Sequence, residues 1–107
     1  MKDLGSLMKQ AQAMQQKLQD AQARLAATVI EGTSGGGLVK VSLTGSGELK
    51  AVTLDDSLIQ PGEGEVISDL VVAAHADAKR KLDQAQQEMM KDVAGPLAGM
   101  GIPGMNF

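Results

Sequence analysis

Between Asp3 and about Ala27 the chain has no Pro, and its only Gly, Gly5, falls in the first turn. Ala, Gln, Leu, Lys and Met dominate, all good helix formers. Apolar or small residues stand at Leu4, Leu7, Ala11, Met14, Leu18, Ala21 and Leu25. The spacing alternates three and four, the seam of a coiled coil rather than the wider stripe of a globular helix. A helix of about 25 residues is ~38 Å long, whereas a compact domain of this chain length has a radius of gyration of ~13 Å. The first helix is therefore expected to overhang its own domain, which excludes a simple closed globule.

The middle third changes period. In Leu38-Val39-Lys40-Val41-Ser42-Leu43-Thr44, Val39, Val41 and Leu43 share one face and Lys40 and Ser42 the other, the period-two pattern of a half-buried strand. Gly45-Ser46-Gly47 turns the chain into a returning strand, Glu48 to Leu54. Thr28 to Gly32 reads as a preceding strand, joined through Thr33-Ser34-Gly35-Gly36-Gly37, so the region is a three-stranded antiparallel meander. The outer strands do not alternate cleanly: Leu49 and Ala51 lie on one face, Val52 and Leu54 on the other. Both sheet faces are thus expected to be covered, one by helix and one by a second subunit.

Asp55 to Gly64 reads as one turn capped by Ser57, with Gln60 three residues on and Pro61 stopping it. A second helix is expected from Glu65 to about Val93. Its apolar positions are Ile67, Leu70, Val71, Ala74, Ala78, Leu82, Ala85 and Met89, and Glu65 and Asp69 suit the N-terminal end of its dipole. Residues 1–93 make a single domain on this reading. Ala94 to Phe107, with four Gly and two Pro in fourteen residues, reads as a flexible tail.

Composition closes off most chemistry. The 107 residues contain no Cys and one His, so neither a disulfide framework, a thiolate nucleophile nor a sulfur-based zinc site can be built. The longest apolar run, Leu70 to Ala74, is far short of the ~20 residues of a membrane span, and no secretory signal opens the chain. A cytoplasmic protein without a membrane partner is expected. Gly99-Met100-Gly101-Ile102-Pro103-Gly104 matches the dinucleotide pattern in letters only, since no strand precedes it and three residues follow. Gly35-Gly36-Gly37 lacks the Lys-Ser/Thr of a phosphate loop and reads as a turn. His75 reads as a polar residue on a helix flank, and the Asp55-Asp56 pair as turn carboxylates rather than a cation site. No catalytic, cofactor or metal constellation emerges, and no enzyme is called for.

The basic residues are more informative than the net charge of -3. From Lys2 to Leu25 four cations, Lys2, Lys9, Lys17 and Arg24, face two carboxylates, Asp3 and Asp20. Lys2 and Lys9 are seven apart, as are Lys17 and Arg24, so each pair lies on one side of the rod. On the second helix Lys79, Arg80 and Lys81 are consecutive, flanked by Asp77 and Asp83. The ordinary use of such charges is a solvated face beside a helical seam. Interleaved Gln10, Gln12, Gln15, Gln16, Gln19 and Gln22 also suit hydrogen bonds to phosphates. No aromatic is placed to stack a base, which disfavours sequence-specific single-strand recognition. Met8, Met14, Met89 and Met90 raise a different use, a face that binds a partner helix.

Taken in order, Leu7-Met8-Lys9-Gln10-Ala11-Gln12-Ala13-Met14-Gln15, Glu31-Gly32 with Gly35-Gly36-Gly37-Leu38-Val39-Lys40-Val41, Asp55-Asp56-Ser57-Leu58-Ile59, and Asp69-Leu70-Val71-Val72-Ala73-Ala74 with Asp77-Ala78 and Lys81 resemble the YbaB/EbfC family of nucleoid-associated proteins. The likeness covers about residues 4 to 92. It implies an α+β fold, an α-β-β-β-α subunit with long terminal helices and a three-stranded antiparallel sheet, forming a homodimer whose helices project like the arms of tweezers. It further implies a bacterial cytoplasmic protein that binds double-stranded DNA without enzymatic activity, associates with the nucleoid and influences chromosome organisation or gene expression. The expected contacts are to backbone phosphates, from Lys9, Lys17 and Arg24 on the first helix and Lys79, Arg80 and Lys81 on the second. At pI ≈ 5.0 an acidic dimer must gather its positive charge on one surface, so weak, salt-sensitive binding with little sequence preference is expected. The reading from another class is an adaptor of the recombination or replication machinery, acting through the apolar side of the rods at Leu4, Leu7, Met8 and Met14.

Overall fold

The computed structural model describes residues 2–98, with side chains from Asp3 to Val93. Helix α1 (Lys2–Ala26) leads through a tight joint into strands β1 (Val29–Ser34), β2 (Val39–Thr44) and β3 (Leu49–Leu54), and the chain ends in helix α2 (Gly64–Ala98). The sheet is antiparallel in the order β1-β2-β3, so the expected α-β-β-β-α arrangement holds. At 74 × 27 × 15 Å, with a radius of gyration of 20.2 Å, the molecule is far longer than a closed globule of this size, because α1 and the second half of α2 extend beyond the sheet.

Three glycines with left-handed backbone, Gly35, Gly36 and Gly37, connect β1 to β2 in a short 3-10 turn that side-chain-bearing residues would strain. Val39, Val41 and Leu43 of β2 are fully buried, and Ala74, Ala78 and Leu82 of α2 lie against them. Each fully buried Val or Leu side chain contributes roughly 1.5–3 kcal/mol of transfer free energy. Small residues permit the close approach: a Cβ on Gly32 of β1 would sit 2.7 Å from Ala78 Cα and closer still to the Ala74 carbonyl oxygen and Ala78 nitrogen. Gly32 thus lets helix backbone rest directly on strand backbone.

The irregular pattern of β3 has a different cause from the one its sequence suggests. A register shift between Ser42 and Leu43 pairs Val41 with Val52 and Ser42 with Ala51, but Leu43 with Leu49. One extra residue, Lys50, is accommodated, so Leu49 returns to the side of the sheet that carries Val52 and Leu54. Leu49, Val52 and Leu54 therefore share the helix side, and the opposite side carries Val29, Glu31, Thr33, Lys40, Ser42, Ala51 and Thr53. What lacks a cover is β3 itself, because α2 lies over β1 and β2: Leu49 is 60% and Val52 41% exposed.

Two boundaries also differ. The turn after β3 is capped by Asp55 rather than Ser57: Asp55 has extended backbone and its carboxylate accepts the Ser57 N–H at 3.0 Å, with Leu58 buried just beyond. Helix α2 continues past Val93 to Ala98. The Gly-rich motif at 99–104 and the rest of the tail lie outside the described residues.

Candidate nucleic-acid interface

The seam of α1 is used along only part of its length. Ala21 is buried and Leu25 half-buried beside Ala85, Met89 and Val93 of α2, and Met14 and Leu18 are half-buried, whereas Leu4 (61%) and Leu7 (58%) are exposed with Met8 beside them. The helices run in opposite directions, and α1 projects past the sheet as an arm. Its joint to β1 is tied by Thr28, whose hydroxyl donates to the Arg24 carbonyl at 2.8 Å and whose N–H donates to the Leu25 carbonyl at 2.9 Å.

Lys9, Lys17 and Arg24 are all exposed on this arm, with no ion pair among the described residues. Lys17 and Arg24 come together beside a groove of about 340 Å³, whose other wall carries Glu88 and Asp92 of α2. Those carboxylates, with Asp20 between Lys17 and Arg24 on the outer flank of α1, lower the local potential around both cations. Lys79, Arg80 and Lys81 do not join this groove. Consecutive helical residues point ~100° apart, so the three side chains fan around α2 instead of forming one stripe.

The fan is also unequal in its partners. Arg80 and Lys81 both pair with Asp77, Lys81 Nζ at 3.1 Å from its carboxylate, while Lys79 has no such partner among the described residues. Asp77 accepts the backbone N–H of Thr33 at 3.0 Å as well. That hydrogen bond first, and then Lys81, holds the Asp77 carboxyl below the usual carboxylate range. The i, i+3 and i, i+4 spacing of Asp77 with Arg80 and Lys81 is visible in the sequence. The third partner, Thr33, is 44 residues away and has no local signal.

Among the described residues no group of three or more His, Asp or Glu gathers as a metal site would require, and no helix is long and apolar enough to cross a membrane. His75 is exposed on α2, and Asp55 and Asp56 serve the turn.

The comparisons with known proteins agree with this architecture. A nucleoid-associated protein of Caulobacter vibrioides is 70% identical over 109 aligned positions that span all of both chains. One from Maricaulis maris is 56% identical, covering 96% of this chain and 99% of its own. Among solved structures, an uncharacterised protein of Helicobacter pylori superimposes with a TM-score of 0.67 at 25% identity, over 86% of this chain and 94% of that one. The profile of the YbaB/EbfC DNA-binding family matches residues 1–97. With that match running from the start of the α1 arm to the last turn of α2, the chain belongs to the YbaB/EbfC family of nucleoid-associated DNA-binding proteins.

Proposed function

We propose that the protein is a cytoplasmic, non-enzymatic DNA-binding dimer that contacts duplex phosphates along its projecting helices, discriminates little between sequences, and influences chromosome organisation or gene expression. The observation that carries this reading is the exposed set Lys9, Lys17 and Arg24, without an ion pair among the described residues, on an arm that stands clear of the sheet. Lys79 and Arg80 supplement it on α2, and Lys81 adds charge from its place at the sheet edge. Phosphate contacts position a protein without reading bases, so any preference would come from DNA shape. Dimerisation doubles the cations, and the uncovered apolar side of β3, with Leu49 and Val52, is the surface we assign to the second copy.

The test is fluorescence-anisotropy binding to an arbitrary duplex of a few tens of base pairs across a salt series, with the mass measured in the same buffer. Log affinity should fall linearly with log salt, with a slope of about -0.9 per neutralised phosphate. Replacing Lys9, Lys17 and Arg24 by Ala should then flatten that slope by about five in a dimer. An unchanged slope with the dimer intact rejects the surface.

The exposure of Leu4, Leu7 and Met8 favours a second reading, an adaptor whose arm seam binds another protein. Changing these three to polar residues would then abolish function while the Lys set proved dispensable.

A further inference from the structure

Strand β1 is an edge strand, and an edge presents alternate backbone N–H and C=O groups to whatever chain arrives next. The Thr28 carbonyl points inward, accepting from Gly45 at the head of the β2–β3 turn at 3.0 Å. By the alternation of an antiparallel strand, the backbone groups of Val29, Glu31 and Thr33 then point outward, toward the free edge. Two of these outward groups are already taken, by side chains. The Thr33 N–H donates to Asp77 Oδ2 at 3.0 Å, and the Glu31 carbonyl accepts from Lys81 Nζ at 3.1 Å. Lys81 and Asp77 also bond each other at 3.1 Å, which closes a ring of strand, ammonium and carboxylate.

We infer that Asp77 and Lys81 form a strand mimic that closes the β1 edge: one turn of α2 offers the acceptor and the donor that an added β-strand would offer. The geometry requires three things at once. Gly32 brings α2 down onto the strand, as its lack of a Cβ permits. The i, i+4 spacing sets acceptor and donor ~6 Å apart along α2, against ~6.6 Å between residues i and i+2 of a strand. Flexible side chains absorb the difference. Arg80, pairing with the other carboxylate oxygen of Asp77, keeps that group oriented. A carboxylate and an ammonium on an edge also repel the approach of an uncharged strand more effectively than neutral caps, because both would have to be desolvated. The Glu31–Thr33 stretch of β1 is thereby closed, β3 is left as the edge along which another chain can add over its full length, and β1 is weakened as a site of uncontrolled self-association.

The inference stands apart from DNA binding, and its test uses none. Amide hydrogen exchange of the full chain would follow Thr33 in the wild type, Asp77→Ala and Asp77→Asn, with Val41 in the β2 core as the internal standard. In D77A the Thr33 amide should exchange about tenfold faster while Val41 changes little, as expected for loss of one charge-assisted hydrogen bond at an edge. D77N retains an acceptor oxygen and should restore most of the Thr33 protection. Sedimentation of the Asp77→Ala, Lys81→Ala double variant should show concentration-dependent species above the wild-type mass. Equal acceleration of Thr33 and Val41 in D77A, or no gain in self-association in the double variant, would overturn the proposal.

Discussion

Replacing Gly32 by Ala adds one methyl group at the point where strand and helix backbones meet. The new Cβ would lie 2.7 Å from Ala78 Cα and closer still to the Ala74 carbonyl oxygen and the Ala78 nitrogen, whereas ordinary contact begins near 3.4 Å, so α2 must retreat by about 1 Å. Neither neighbour can turn aside, since the obstructing atoms are backbone. A gap of ~0.5–1 Å forfeits a quarter to a half of each dispersion contact it opens. The contacts opened are those of Ala74, Ala78 and Leu82 on Val39, Val41 and Leu43, the centre of the core. Overpacking of this kind costs ~1–3 kcal/mol and occasionally more, and the rigidity of both walls places Gly32→Ala at about 3 kcal/mol. Since ~1 kcal/mol shifts Tm by ~4–8 °C in a domain of this size, the variant should melt roughly 12–24 °C below the wild type. Circular dichroism melts at one fixed protomer concentration would measure this, because an oligomer's Tm depends on concentration. Gly5→Ala is the matched control: in α1 the added Cβ meets nothing within 4 Å, and helix propensity alone should stabilise by up to about 1 kcal/mol. A Gly32→Ala variant melting within about 3 °C of the wild type would refute the close-approach argument.

Leu43→Ala deletes one of the largest fully buried side chains and should cost ~2–5 kcal/mol, read as a lower urea midpoint with an unchanged m-value. Asp77 and Asp55 both have carboxyls held below the ordinary value of 3.8, Asp77 chiefly by the Thr33 N–H and Asp55 by the Ser57 hydroxyl and N–H. Groups depressed in the folded state stabilise it above their unfolded value and lose that contribution as pH falls through the folded value, so Tm should drop as pH falls below about 4. The Asp55→Ala, Asp77→Ala double variant should show a shallower acid limb, and an identical limb would exclude these two groups as its source. Val52→Asp puts a charge on the uncovered apolar side of β3; sedimentation should show a single subunit with weakened DNA affinity, and an intact dimer would reject β3 as the shared surface.

The legible parts of this protein were those with local periodicity. The three-four seam of α1, the alternation of Val39, Val41 and Leu43, and the glycine triplet each report a backbone state through neighbours a few residues away, which is why helix, strand and turn could be placed from them. The β3 bulge is invisible in the sequence because one inserted residue inverts the apparent face of everything on its far side, and only pairing with β2 reveals where the insertion falls. The cap stands at Asp55, two residues before the expected Ser57, because side-chain type alone does not fix it. Asp and Ser are both good caps, and backbone geometry chose between them.

Among the candidate cations the same division appears. Their exposure followed from residue type, and the arm that carries Lys9, Lys17 and Arg24 followed from helix length. That Asp77 would bind Arg80 and Lys81 while reaching Thr33 depends on α2 crossing the sheet at Gly32, a contact between segments more than forty residues apart. The amino-acid order by itself determined the elements, their sequence along the chain and the long projecting shape, because propensity and periodicity are short-range properties. The tertiary structure alone decided which half of the seam is buried, which edge of the sheet is capped and which cations are unpaired among the described residues, because those depend on where distant backbones are brought within hydrogen-bonding distance.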